Sequence, residues 1–160
     1  MLFRSADNVT LDMNSKVIAP HAGATQTNLV GILVNDRDNF QLMNGTIQCD
    51  DTDSTPTQRI TTGINLGSST SYSSKVHDVF VNRALTTGIT GSSLNDVSLE
   101  RVSVNNCSGS AAVNGATLSS CKNIVIRDSE FNRNTTSSGN CKGLSLDRKS
   151  TRLNSSHQII

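Results

Sequence analysis

The chain has 160 residues, with fourteen Lys and Arg against thirteen Asp and Glu, a formal net charge of +1. That balance leaves no basic patch of the size nucleic acid requires, and no apolar run is long enough for a membrane-spanning helix. Aromatic residues are 3% of the chain and Trp is absent, which is little bulk for a compact sandwich of this length, while short apolar triplets recur too regularly for a disordered chain.

The first five residues, MLFRS, share no pattern with the rest of the chain. NVTL (Asn8–Leu11) sets two apolar residues at period two behind a polar one, the mark of a short strand. A HAG turn containing His21 precedes GILV (Gly31–Val34) and NFQL (Asn39–Leu42), and Asn44-Gly45 adds a turn signal. CDDTDSTPTQR, from Cys49 to Arg59, is a polar excursion, followed by GINL (Gly63–Leu66) and a second excursion, GSSTSYSS. DVFV (Asp78–Val81), GITG (Gly88–Gly91), DVSL (Asp96–Leu99), AAVNG (Ala111–Gly115), NIVI (Asn123–Ile126) and GLSL (Gly143–Leu146) complete the series.

Two motifs therefore alternate along the chain. Phe40, Leu42 and Ile47 correspond to Val97, Leu99 and Val104, and again to Ile124, Ile126 and Phe131. The glycine-led series recurs at intervals of about 25 to 32 residues, with GITG its weakest member. Asn44, Arg101 and Asp128 each fall five residues after a leading polar residue, a sharp bend where Asn and Asp tolerate left-handed backbone angles. Short strands joined by tight corners make one coil of a solenoid, and coils stack at about 4.8 Å. One coil cannot bury its own interior, so stacking supplies the core. The absence of a helical period between strands argues against βαβ units.

The pattern GI-x-L … N-V-x-L-x-N-x-x-I, clearest in VGILVNDRDNFQLMNGTIQC, resembles the right-handed parallel β-helix repeat of the pectin-lyase-like superfamily. NVTLDMNSKVIAP resembles the opening coil of such proteins. The resemblance implies an all-β, right-handed parallel β-helix of about four to five coils over residues 6–146. It also implies an extracellular or cell-surface protein that binds or processes polysaccharide, whether lyase, hydrolase or epimerase. The other reading it carries is a non-catalytic stalk, tailspike or adhesin. The Asn-Thr-Asp, paired Asp, Gly-His-Gly and Arg-Ile-Lys motifs of the polygalacturonase-like branch do not occur in that order, so no catalytic residue carries over from it.

The tail has another source. DRKSTRLNSSH, from Asp147, is the in-frame translation of a common DNA sequencing adapter, and the reverse complement of that adapter, read from a GTG start, encodes MLFRS. Residues 1–5 and 147–160 are thus expected to be adapter-derived, the latter disordered, and residues 6–146 a β-helix fragment truncated at both ends. Without those flanks the chain has ten basic and twelve acidic residues.

Among candidates for chemistry, Asp50, Asp51 and Asp53 put three carboxylates on one excursion, a set that could hold calcium through oxygen ligands. The plainer reading is a solvated acidic loop. Asp78 and Asp96 lead consecutive DV motifs. Equivalent positions in neighbouring coils would put them about 5 Å apart, the kind of carboxylate pair that glycosidic cleavage uses. Asn8, Asn39 and Asn123 at the same position favour a polar ladder instead. Arg101 and Arg127 are candidates for contacting an acidic sugar. His21 and His77 read as surface residues, and Cys49, Cys107, Cys121 and Cys141 lack CxxC metal spacing.

Overall fold

The computed structural model describes residues 7–20, 29–34, 36–48, 60–68, 72–109 and 111–146. The two flanks expected to be adapter-derived lie outside the described residues, as do Asp50, Asp51, Asp53, His21 and Cys49. In chain order the strands are β1 (Thr10–Ile18), β2 (Leu29–Leu33), β3 (Phe40–Gln48), β4 (Ile60–Asn65), β5 (Tyr72–Asn82), β6 (Thr87–Ser92), β7 (Asn95–Asn105), β8 (Ser108–Gly109), β9 (Val113–Ser119), β10 (Val125–Arg127), β11 (Glu130–Asn132), β12 (Thr135–Thr136) and β13 (Cys141–Leu146).

All pairings are parallel and join one coil to the next. One sheet runs β1-β3-β5-β7-β10, with β11 also on β7; a second runs β13-β9-β6-β4-β2; β8 pairs with β12. The described chain is all-β, without a helix, and forms a parallel β-solenoid of about four turns, as the repeat predicts. No helix among the described residues is long and apolar enough to cross a membrane.

Period-two strands send alternate side chains inward, and parallel register places each over its counterpart in the next coil. Leu42, Val76, Leu99 and Ile126 form one such column, and Ile47, Val81, Val104 and Phe131 another. In the second sheet Ile32, Ile64, Ile89 and Ala116 are fully buried in line, and Leu144 continues the column. The column Phe40–Ser74–Val97 is interrupted by Ser74, buried at 1% exposure with no hydrogen-bond partner for its hydroxyl.

A glycine in each strand of the second sheet sets how closely the coils approach. A Cβ on Gly31, Gly63, Gly88 or Gly115 would lie 2.4–2.6 Å from the carbonyl oxygen of the corresponding glycine in the next coil, namely Gly63, Gly88, Gly115 or Gly143. GITG is therefore a regular member, and the aligned glycine of AAVNG is Gly115, with Ala116 and Leu118 inward after it.

The corners are single residues with left-handed backbone. Among the described residues seventeen non-glycine residues have positive φ, and fourteen of them are Asn, Asp or Ser, side chains that tolerate or locally hydrogen-bond this conformation. The Asn- and Ser-rich composition is thus largely corner chemistry. One row of corners opens the long strands at Asn8, Asn39, Ser73, Asp96 and Asn123. A second bends them midway, at Asn44, Asp78, Arg101 and Asp128, with Asn14 and Ser15 as a two-residue version in the first coil.

This register corrects the pairing of Asp78 with Asp96. Val79 pairs with Val102 and Ser74 with Val97, so Asp78 stacks against Arg101 at the mid-strand bend. Asp96 belongs to the row that opens the strands. The two carboxylates do not stack.

Candidate functional site

The mid-strand bend turns the outer surface of the first sheet into a groove along the solenoid axis. One hollow, about 430 Å³, is lined by Asn14, Asn44, Thr46, Asp78, Phe80 and Arg101 among others. A second, about 370 Å³, is lined by Arg101, Ser103, Asp128, Glu130 and Asn132 among others. Arg101 and Ser103 line both, so the hollows adjoin across coils.

Outward side chains at the bend change in charge from coil to coil. One column holds His77, Glu100 and Arg127, and the adjoining corner row holds Asp78, Arg101 and Asp128. Arg101 donates from Nε to Asp78 Oδ1 at 2.6 Å and from Nη2 to Oδ2 at 2.8 Å, a bidentate pair. It also donates from Nη1 to Glu100. His77 Nδ1 lies 2.9 Å from Asp78 Oδ2, and its Nε2 lies 2.7 Å from Gln41 Nε2. Gln41 can only donate from that nitrogen, so the partners select the imidazole with its proton on Nδ1, which donates to Asp78. Gln41, His77, Asp78, Arg101 and Glu100 thereby link three consecutive coils.

The Arg101 guanidinium, and after it His77, holds the Asp78 carboxyl well below the usual carboxylate range. A second cluster sits one strand segment further on. Glu130 accepts from the Ser103 hydroxyl, from Asn105 Nδ2 at 3.0 Å and from Asn132 Nδ2 at 3.1 Å. Ser103 and then Asn105 lower the Glu130 pKa, and Arg133 adds to this. The Asp78 and Glu130 carboxylates are thus stabilised as anions.

Asp96 lies elsewhere, exposed at the opening corner, where its Oδ1 accepts from Asn123 Nδ2 at 3.0 Å. Asn39 donates likewise to Asn8 at 2.8 Å, so the row is a ladder of side-chain amides and carboxylates. Of the sequence candidates, the structure brings Asp78 and Arg101 together and sets Asp96 apart. Arg127 is exposed, in register with Glu100. The carboxylate trio proposed for calcium lies outside the described residues, and among the described residues no group of three or more His, Cys, Asp or Glu side chains could hold a metal ion. No disulfide joins Cys107, Cys121 and Cys141 to one another, and burial pushes the Cys121 thiol pKa up.

Sequence reasoning missed His77 as a bridge and the Ser103–Asn105–Glu130–Asn132 cluster. The signal for the cluster was present. Ser103 and Asn105 alternate with inward Val102 and Val104, and Glu130 and Asn132 repeat their places one coil later.

The two lowered carboxylate pKa values predict an acid-sensitive fold. A carboxyl whose folded pKa lies below its unfolded value binds fewer protons folded than unfolded, so its contribution is present above the unfolded pKa and lost as pH falls. Stability should hold from pH 7 down to about 5 and decline below about pH 4, near the unfolded carboxylate value. Asp78→Asn should flatten that decline. Urea melts at a series of pH values check this, and an unchanged acid limb in the variant would refute the assignment.

No protein-family model, curated protein or solved structure matches this chain.

Proposed function

We propose that this solenoid belongs among the pectin-lyase-like proteins and binds an extended polysaccharide, outside the cell or at its surface, along the mid-strand groove. The observation that carries the reading is that the two hollows adjoin at Arg101 and Ser103. A flexible polar chain needs a long, shallow surface with hydroxyl, amide and guanidinium groups at a regular repeat, and the coil spacing supplies that repeat. Phe80, in the column Thr46–Phe80–Ser103, offers an apolar surface for a sugar ring.

Asp78 and Glu130 suit binding better than general-acid hydrolysis, which needs a carboxyl that keeps its proton until the leaving oxygen takes it, because both are shifted toward the ionised form. A second reading, a non-catalytic stalk, draws on the same contacts, because the Arg101 guanidinium ties neighbouring coils together.

Affinity electrophoresis against neutral and acidic polysaccharides separates the two. The expected result is retardation by at least one of them. Phe80→Ala should weaken it about tenfold, in line with the roughly 1.5–3 kcal/mol of burying such a side chain. Arg101→Asn, which keeps a residue suited to the corner, should weaken it as well. Retardation by none of the polymers would sink the binding reading and leave the stalk.

A further inference from the structure

Arg101 lies where the two hollows of the groove meet, on β7, a strand paired with β5 on one side and with β10 and β11 on the other. Its side chain is half-exposed, so it belongs to the surface that a bound polymer meets. What it can offer depends on which of its donors are already used. A guanidinium carries five N–H bonds in a rigid plane, and a carboxylate seats on it best by taking two parallel ones. Asp78 already holds such a seat, with Nε at 2.6 Å and Nη2 at 2.8 Å. Nη1, the remaining nitrogen, donates to Glu100. A third carboxylate arriving at Arg101 would stand beside these two, a like-charge contact on each side. A sugar hydroxyl brings no charge and needs only one N–H bond.

The other groups in the hollows point the same way. Among the described residues, Arg101 is the only cation that lines either hollow, against the carboxylates of Asp78, Asp128 and Glu130. A polymer with a carboxylate on every sugar would carry like charge into that field at each coil. Phe80 favours an uncharged partner for a separate reason. It lies between Thr46 and Ser103 of the neighbouring coils and lines the first hollow with them. Its ring offers an apolar surface to the C–H face of a sugar, and the Thr46 hydroxyl and the Arg101 N–H bonds stand in the same hollow for the sugar's hydroxyls.

We infer that the polymer this groove takes is an uncharged polysaccharide, and that Asp78 and Glu100 set this specificity by masking Arg101 from acidic sugars. The inference rests on the reading of the groove as a polysaccharide site and names the class of polymer. It gives Arg101 a different partner from the acidic sugar that its residue type alone suggests.

The test is affinity electrophoresis of the full chain, at neutral pH, in polymers matched in backbone and differing in charge. Suitable pairs are dextran with carboxymethyl-dextran, hydroxyethyl-cellulose with carboxymethyl-cellulose, and methyl-esterified with de-esterified polygalacturonate. In every pair that retards the chain, the neutral member should bind about fivefold more tightly, the upper end for one exposed charge contact. Asp78→Asn keeps a residue suited to the corner and should narrow that preference about fivefold. Glu100→Gln, which leaves the corner untouched, should narrow it in the same direction. Asp96→Asn removes an equal charge away from the groove and should leave the preference as it was. Equal or tighter binding of the carboxylated member in any pair overturns the inference and leaves the polysaccharide reading standing. A preference that neither groove variant narrows also overturns it, as does one that Asp96→Asn narrows equally. Retardation by no polymer removes the polysaccharide reading and this inference with it.

Discussion

Gly88→Ala should destabilise the fold by about 3 kcal/mol, the upper part of the range for overpacking a filled interior. The added Cβ would stand 2.1 Å from Val104 Cγ1 and 2.6 Å from the Gly115 carbonyl oxygen. A side chain can rotate away, but the carbonyl is part of a strand paired on both sides, β9 between β6 and β13. Relief requires two coils to separate locally, which breaks the close packing on which the apolar columns depend. Val104→Ala in the same chain should return only part of the loss, because it leaves the carbonyl clash intact. Urea denaturation followed by far-UV circular dichroism, at concentrations where the chain is monomeric, measures both. A loss within about 0.5 kcal/mol, the scale of an ordinary surface substitution, would mean that the glycines do not set the coil spacing.

Leu99→Ala should cost about 3–4 kcal/mol, within the range for emptying a closed apolar site. Leu99 is fully buried between Val76 and Ile126, and its own strand is held in register by β5 on one side and by β10 and β11 on the other, which limits collapse into the space. Leu144→Ala provides the contrast, because Leu144 lies in the end coil and is only partly buried. Its loss should be about 1 kcal/mol, roughly one or two methylenes' worth of burial. Equal losses at the two positions would mean that the end coils are as tightly held as the middle.

How much could be read beforehand depended on which column a residue serves. The inward positions of β3, β7 and β10 are apolar throughout, and their register was legible. In β5 the inward position matching Phe40 and Val97 is Ser74. A search for apolar alternation passes over that strand's true beginning and settles on its second half, Val79 and Val81. This one serine accounts for the five-residue slip that set Asp78 beside Asp96. The corners were legible because Asn and Asp recur at them. The groove was not, since it depends on which outward side chains meet across coils. That Arg101 spans to Asp78 rather than into solvent is invisible until the register is right. His77 was passed over for a similar reason, because its partner Gln41 is thirty-six residues away in sequence.

The alternating charges at the bend also bear on how such a solenoid can lengthen. Its backbone repeats with every coil, but in the last three coils the charge at the bend alternates, as Asp78, Arg101 and Asp128 succeed one another. Copying the single coil of residues 73–95 would set Asp78 directly over a second Asp78, a like-charge contact across adjacent strands. Copying residues 73–122 as a unit would preserve the alternation, with each Arg101 flanked by carboxylates on both sides. Lengthening by pairs of coils, rather than by single ones, would therefore keep the charges at the bend complementary.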